Sequence, residues 1–217
     1  MHLNFPTIRK PLDAAAISYG KEKVLGQIFQ GTNIVVEMGH GKNVLLFSAH
    51  FDRIDEALGG NDNASCVVAG ITALKELSVV KVPPGMTVRF WFSDGEEAGL
   101  QGPRHHAKTQ DLSNIFGVAN FEMCGIGNAF GIWDVIGPAV GSPIVQALLK
   151  AGKNQEMYSA THGAVLRFGS DHLAFSKKGL SAVGVTFLPK CDEGKLKYYV
   201  ADPNNPKWLL NFIRPKI

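Results

Sequence analysis

Three short segments rich in apolar and β-branched residues each run directly into acids or histidine. Residues 44–49 lead into His50 and Asp52, residues 87–93 into Asp94, Glu96 and Glu97, and residues 116–121 into Glu122. Between the first two lies Gly59-Gly60-Asn61-Asp62-Asn63, followed by a stretch over 63–77 in which Val67, Ile71 and Leu74 recur at helical spacing. Strands alternating with helices imply a mostly parallel sheet covered on both faces. The reading is therefore α/β, a three-layer α/β/α sandwich around a central, mostly parallel mixed sheet. In such sheets ligands bind beyond the carboxyl ends of the strands, which is where these acids and the histidine fall.

The remaining pattern predicts a leading helix over 12–29 and strands over 33–38 and 44–49, joined as a hairpin by Gly39-His40-Gly41-Lys42. Further helices are expected over 103–109, 142–151, 169–178 and 205–213, and strands over 130–136 and 182–188. At 217 residues, 45% hydrophobic and 19% charged, the chain suits a single domain over 1–217, its motifs spanning 33–188. The formal charge of +3 comes from scattered Lys and Arg with no basic stripe, which argues against a nucleic-acid partner. The apolar runs are strand-sized, far short of a membrane span. Met1-His2-Leu3-Asn4-Phe5-Pro6 lacks the apolar core of a signal peptide, so the expected location is the cytoplasm, or outside the cell if a leader is removed.

Cys66, Cys124 and Cys191 show no close pairing and fit neither a disulfide framework nor a thiolate zinc site. A metal here must be bound by imidazole and carboxylate. Carboxylates brought close together resist joint ionisation unless a cation neutralises them. One histidine with several carboxylates suits zinc, with cobalt or manganese as alternatives. In His50-x-Asp52 the acid is placed to hold the other ring N–H of a liganding imidazole. Glu96 and Glu97 are adjacent and are expected to divide the work, one ligating and the other taking a proton from the attacking water. His105-His106 reads as solvated on an exposed helix, His2, His40 and His162 as loop residues, and Trp91, Trp133 and Trp208 as core.

Taken together, Ser48-Ala49-His50-Phe51-Asp52, Gly60-Asn61-Asp62-Asn63-Ala64-Ser65 and Phe92-Ser93-Asp94-Gly95-Glu96-Glu97-Ala98-Gly99-Leu100 resemble the three central motifs of the M28 metallopeptidases. Asn120-Phe121-Glu122-Met123 resembles the fourth motif, and Gly169-Ser170-Asp171-His172-Leu173-Ala174-Phe175 a fifth. The resemblance implies the zinc-exopeptidase fold, shared with glutaminyl cyclases, and hydrolysis of N-terminal peptide bonds in a peptide or aminoacyl substrate. It implies that Asp62 bridges two zinc ions, that His50 and Glu122 complete one site, and that Glu97 belongs to the other. Glu96 is then the general base, Asp52 the partner of His50, and Asp62–Asn63 a candidate cis peptide.

Two departures from the family pattern stand out. Glu122 occupies a position usually held by Asp, and no His follows His172, whereas the family's last ligand is a His near the C-terminus. Tyr198 stands at that place in Tyr198-Tyr199-Val200-Ala201-Asp202. The second site is therefore incomplete, uses Tyr198, or recruits His172. Asp171 and His172 are otherwise expected beside the substrate. The preferred expectation is one well-formed site (His50, Asp62, Glu122) and one weakened or vacant site (Asp62, Glu97), hence one or two ions. The leading function is a metallo-aminopeptidase. A non-enzymatic homologue kept for binding, and glutaminyl cyclase-like acyl transfer, are the alternatives.

Overall fold

The structure is a computed structural model; it describes residues 5–26, 29–55, 57–155, 158–161 and 169–190. Its elements in chain order are α1 (Phe5–Ala14), β1 (Gly20–Leu25), β2 (Gln30–Gly39), β3 (Asn43–His50), α2 (Ser65–Ser78), β4 (Met86–Ser93), α3 (Gln101–Thr109), β5 (Ile115–Glu122), β6 (Ala129–Trp133), α4 (Pro143–Asn154), β7 (Tyr158–Thr161), α5 (His172–Ser176) and β8 (Ala182–Leu188). The eight strands form one sheet in the order β1-β2-β4-β3-β5-β8-β6-β7. Its centre, β4-β3-β5-β8, is parallel throughout, while β1, β2 and β6 join by antiparallel pairings.

The alternation of side chains along each strand divides the core between two faces. Phe90 and Phe92 of β4 pack with Ile8 and Leu12 of α1 and Val67, Ile71 and Leu74 of α2, and Ile144, Val145 and Leu148 of α4 continue that face beneath β5 and β8. Trp91 of β4 and Val44 and Leu46 of β3 point the other way, against Ala107 of α3 and Ala174 and Phe175 of α5. This is the expected three-layer sandwich, with the predicted helical stripe of α2 buried as read.

Two expectations fail in the N-terminal third. The helix over 12–29 ends at Ala14, where Ala16 turns left-handed (φ 55°), and residues 20–25 become strand β1. The two-residue alternation of Lys21-Glu22-Lys23-Val24 fits an edge strand whose lysines discourage further pairing. The hairpin is also absent. Strand β4 inserts between β2 and β3, antiparallel to the first and parallel to the second, so the Gly39–Lys42 loop spans a strand instead of reversing beside one. Strand β7 was not anticipated, and the helix over 205–213 lies outside the described residues.

Candidate metal centre

Strands β3, β4 and β5 end side by side, with His50 opposite Ser93 in register. The His50 ring is 2% exposed, and its Nε2 lies 3.1 Å from Asp62 Oδ1 and 3.3 Å from Glu122 Oε2. One ligand atom each from His50, Asp62 and Glu97 lie within 4.8 Å of one another. Asp62 and Glu122 thus share the Nε2 side of one imidazole, and the mutual cluster takes in Glu97 but not Glu122. Among the described residues, no lysine or arginine forms an ion pair with them.

The other ring nitrogen, His50 Nδ1, lies 3.1 Å from the Asp52 backbone carbonyl and 3.5 Å from its carboxylate. That carboxylate accepts from the backbone N–H of Glu96 (Oδ1, 3.1 Å) and of Glu97 (Oδ2, 2.9 Å). Asp52 therefore touches both the imidazole and the loop that carries the two glutamates. The loop is tied down from behind as well. Asp94 N–H donates to Asn33 Oδ1, Asp94 Oδ2 accepts from Thr32 N–H, and Leu100 N–H returns to the Glu96 carbonyl at 2.7 Å. Gly95 stands at φ 75° with the Phe29 ring 2.5 Å from where a Cβ would lie, so only glycine fits between Asp94 and Glu96.

Glu122 is held by neighbours that its sequence motif did not announce. Its Oε1 accepts from Asn120 Nδ2 at 3.0 Å and from the Ser170 hydroxyl. Asn120 in turn donates to Ser170 Oγ and accepts from Ser48 Oγ, each at 2.8 Å. Ser48 and Asn120 sit two residues before His50 and Glu122 on their strands and so share their face of the sheet. A small polar residue at that spacing before a candidate ligand is the signal that was available.

The electrostatics follow from crowding. Burial first, then the charges of Glu122, Asp171 and Glu97, push the Glu96 carboxyl up to about 9, with His50 pulling the other way. Burial and neighbouring Asp62 push Glu97 up to about 7. Burial disfavours the charged form of His50, yet Glu122 and hydrogen bonds to Asp52 and Asp62 hold its pKa well above the ordinary value. Asp171, fully buried and accepting from Ser93 Oγ at 2.5 Å, is raised to about 7, chiefly by burial; its Oδ1 has no partner among the described residues.

His172 is not among the converging donors. Its Nε2 lies 2.8 Å from Asp134 Oδ2, and its ring meets Trp133 edge-on at 4.6 Å. Tyr198 and His162 lie outside the described residues. One other reading is corrected: His106 is buried and bonded to Glu22 instead of solvated. Cys66 and Cys124 are free thiols, as expected, with Cys124 N–H donating to Cys66 Sγ at 3.2 Å.

A donor set of one imidazole and several carboxylates, with no lysine or arginine paired to it among the described residues, fits a zinc-type cation. The sequence profile of peptidase family M28 matches residues 33–208, and the chain belongs to that family. An aminopeptidase of Pseudomonas aeruginosa is 29% identical over 171 residues, covering 70% of this chain and 30% of that protein. Leucine aminopeptidase 2 of Arthroderma otae is 31% identical over 167 residues, covering 70% of this chain and 33% of that protein. The chain thus spans about a third of the length of these relatives. Among solved structures, a zinc aminopeptidase from Bacillus subtilis superposes with a TM-score of 0.63 at 20% identity, over 74% of this chain and 40% of that one. An Acidobacteriales glutaminyl cyclase does so with a TM-score of 0.63 at 20% identity, over 84% and 69%. These last two likenesses establish the shared fold. No helix among the described residues is long and apolar enough to cross a membrane.

Proposed function

We propose that this chain carries the catalytic centre of a metallo-aminopeptidase, hydrolysing the N-terminal peptide bond of peptide or aminoacyl substrates. The supporting observation is the convergence of His50, Asp62 and Glu97, with Glu122 on the same imidazole nitrogen, in a member of family M28. These four residues would hold zinc, or cobalt or manganese in its place. A bound zinc supplies a Lewis acid that polarises the scissile carbonyl and eases deprotonation of water.

The chain's own residues do the rest. Glu96 takes a proton from the attacking water on a carboxylate oxygen and returns it to the departing amine nitrogen. With a cation held by these ligands, Glu96 would be ionised below the value of about 9 that burial gives it, and so able to accept that proton. Asp52 fixes where Glu96 stands, by holding the backbone N–H groups of Glu96 and Glu97 while it borders His50. Asp171, buried behind Ser93, adds negative charge that steadies a cation or a substrate amine.

The test is direct. Purified protein loaded with zinc, cobalt or manganese is offered a panel of aminoacyl-arylamides, and turnover is expected with at least one metal. Stoichiometric metal uptake without turnover on any member would replace the reading with a binding homologue. Cyclisation of an N-terminal glutaminyl peptide without arylamide hydrolysis would replace it with acyl transfer.

A further inference from the structure

Asp62 and Glu122 reach the centre from separate parts of the chain, one on a loop and the other at the end of β5, and no strand pairing connects the two. Strands β3 and β5 pair as far as Ser48 opposite Asn120 and no further. Beyond that point a seam of side-chain hydrogen bonds takes over. Asn63, next to Asp62, donates from Nδ2 to the Phe121 carbonyl at 2.9 Å and accepts at Oδ1 from the Met123 N–H at 3.1 Å. One carboxamide therefore grips the backbone on both sides of Glu122. On the other side of Asp62, Asn61 Oδ1 accepts from Gly125 N–H at 2.9 Å. Ser65 Oγ accepts from Cys124 N–H at 3.0 Å and donates to the Asn61 carbonyl at 2.7 Å.

A parallel strand bonds the groups before and after its partner residue in the same pattern, one acceptor and one donor. A carboxamide offers one face with both a donor and an acceptor, so it can stand in for the missing stretch of β3. Asn63 is 1% exposed, so neither bond is weakened by competing water. Met123 has φ 52°, a conformation that a side-chain-bearing residue rarely adopts, and its N–H is one of the two groups held.

We infer that Asn63 is a positioning residue that sets the spacing of the Asp62 and Glu122 carboxylates, and through it the affinity of the centre for its metal. The inference rests on the metal reading above. It concerns a residue that touches neither ligand atoms nor substrate and acts through the backbone that carries them.

Asn63→Asp keeps the size and the Oδ1 acceptor but turns an oxygen towards the Phe121 carbonyl. Zinc affinity, measured by competition with a chromophoric chelator, is expected to fall roughly 10–100-fold. Ile71→Val trims the core side of the same loop's helix, and should lower the melting temperature while leaving zinc affinity unchanged. Wild-type affinity in a folded Asn63→Asp protein overturns the inference and leaves the metal reading standing. Wild-type protein that takes up no zinc, cobalt or manganese overturns both. If Asn63→Asp does not fold, Asn63→Ala decides, since it removes both bonds without adding a charge; a weaker zinc complex supports the inference and an unchanged one overturns it.

Discussion

At the carboxyl end of the sheet, His50 faces Asp62 and Glu122, with Glu96, Glu97 and Asp171 close enough to press on one another. Between β1 and α3, His106 faces Glu22 alone, Nδ1 to Oε2 at 2.7 Å, and Glu22 also accepts from Asn33 and Trp91. Both regions are largely buried, and burial acts on the acids of both in the same upward direction. In the first it prevails, and Glu96 rises to about 9. In the second His106 and the two neutral donors outweigh it, and Glu22 ends below its ordinary value. The difference lies in supply. Where an acid has its own cationic partner it stays charged; where one imidazole serves several acids, the described residues leave the centre short of positive charge. On the proposed reading the first region takes up a cation, whereas the second sets one imidazole against one acid and leaves Glu22 Oε1 and His106 Nε2 without a partner among the described residues.

The sharpest way to break that contrast is Glu96→Gln. If Glu96 is the base, turnover should fall by roughly 10²–10⁴-fold while zinc affinity is retained, because the substitution removes proton transfer and leaves the donor set intact. Steady-state kinetics beside metal analysis check this. Turnover within a fewfold of wild type would remove Glu96 from the chemistry.

Zinc should next separate the two regions by stability. At a hundredfold excess over its dissociation constant, a ligand that binds only the folded state stabilises it by about 2.7 kcal/mol. Metal-free protein should therefore melt lower, and should lose further stability as pH rises. The sign follows from the raised acids. Their contribution is fully present below the ordinary carboxyl range and is lost as pH climbs through about 7 for Glu97 and Asp171 and towards about 9 for Glu96. Zinc replaces those protons, so the slope should flatten in the loaded protein. Melting scans from pH 6 to 9 with zinc or with chelator would reveal it, and parallel slopes in the two conditions would contradict a cation site.

Glu22→Gln comes third. It keeps the shape but removes the charge facing His106, and should cost about 1–3 kcal/mol with zinc affinity unchanged. Urea unfolding measures the first quantity and chelator competition the second. A change in zinc affinity would show that the two regions are coupled.

The contrast was only half legible in the sequence. Glu96, Glu97 and His50 announce themselves because acids placed directly after buried strands have no other business there, and the sheet that lines them up follows from alternation alone. Glu22 and His106 are 84 residues apart, and each sits among charged neighbours that suggest solvent. Only the addition of β1 at the sheet edge buries them together, and residues 20–25 of that strand fall inside the stretch over 12–29 that reads as helix. The bonds from Asn63 to the backbone around Glu122 were not legible either. Contacts between loops depend on where β4 inserts, and a local pattern that suggests a hairpin between β2 and β3 cannot show it.

The smallest effect tests the Glu22–His106 region by its pH sign. A lowered acid contributes stability that is present above its ordinary value, 4.5 for Glu22, and that is lost as pH falls through its folded value. This is opposite to the limb set by the metal centre, and it lies at the acid end of the scale. The stability gap between wild type and Glu22→Gln should therefore hold level from pH 6 to about 5 and narrow below 4.5, because protonated Glu22 resembles glutamine in charge. Urea unfolding of both proteins at pH 3.5, 4.5 and 6, all with chelator present, isolates the term from the metal. A gap that stays constant across the three would mean that His106 does not hold the Glu22 charge, and would assign the pair's worth to packing against Trp91 and Phe175.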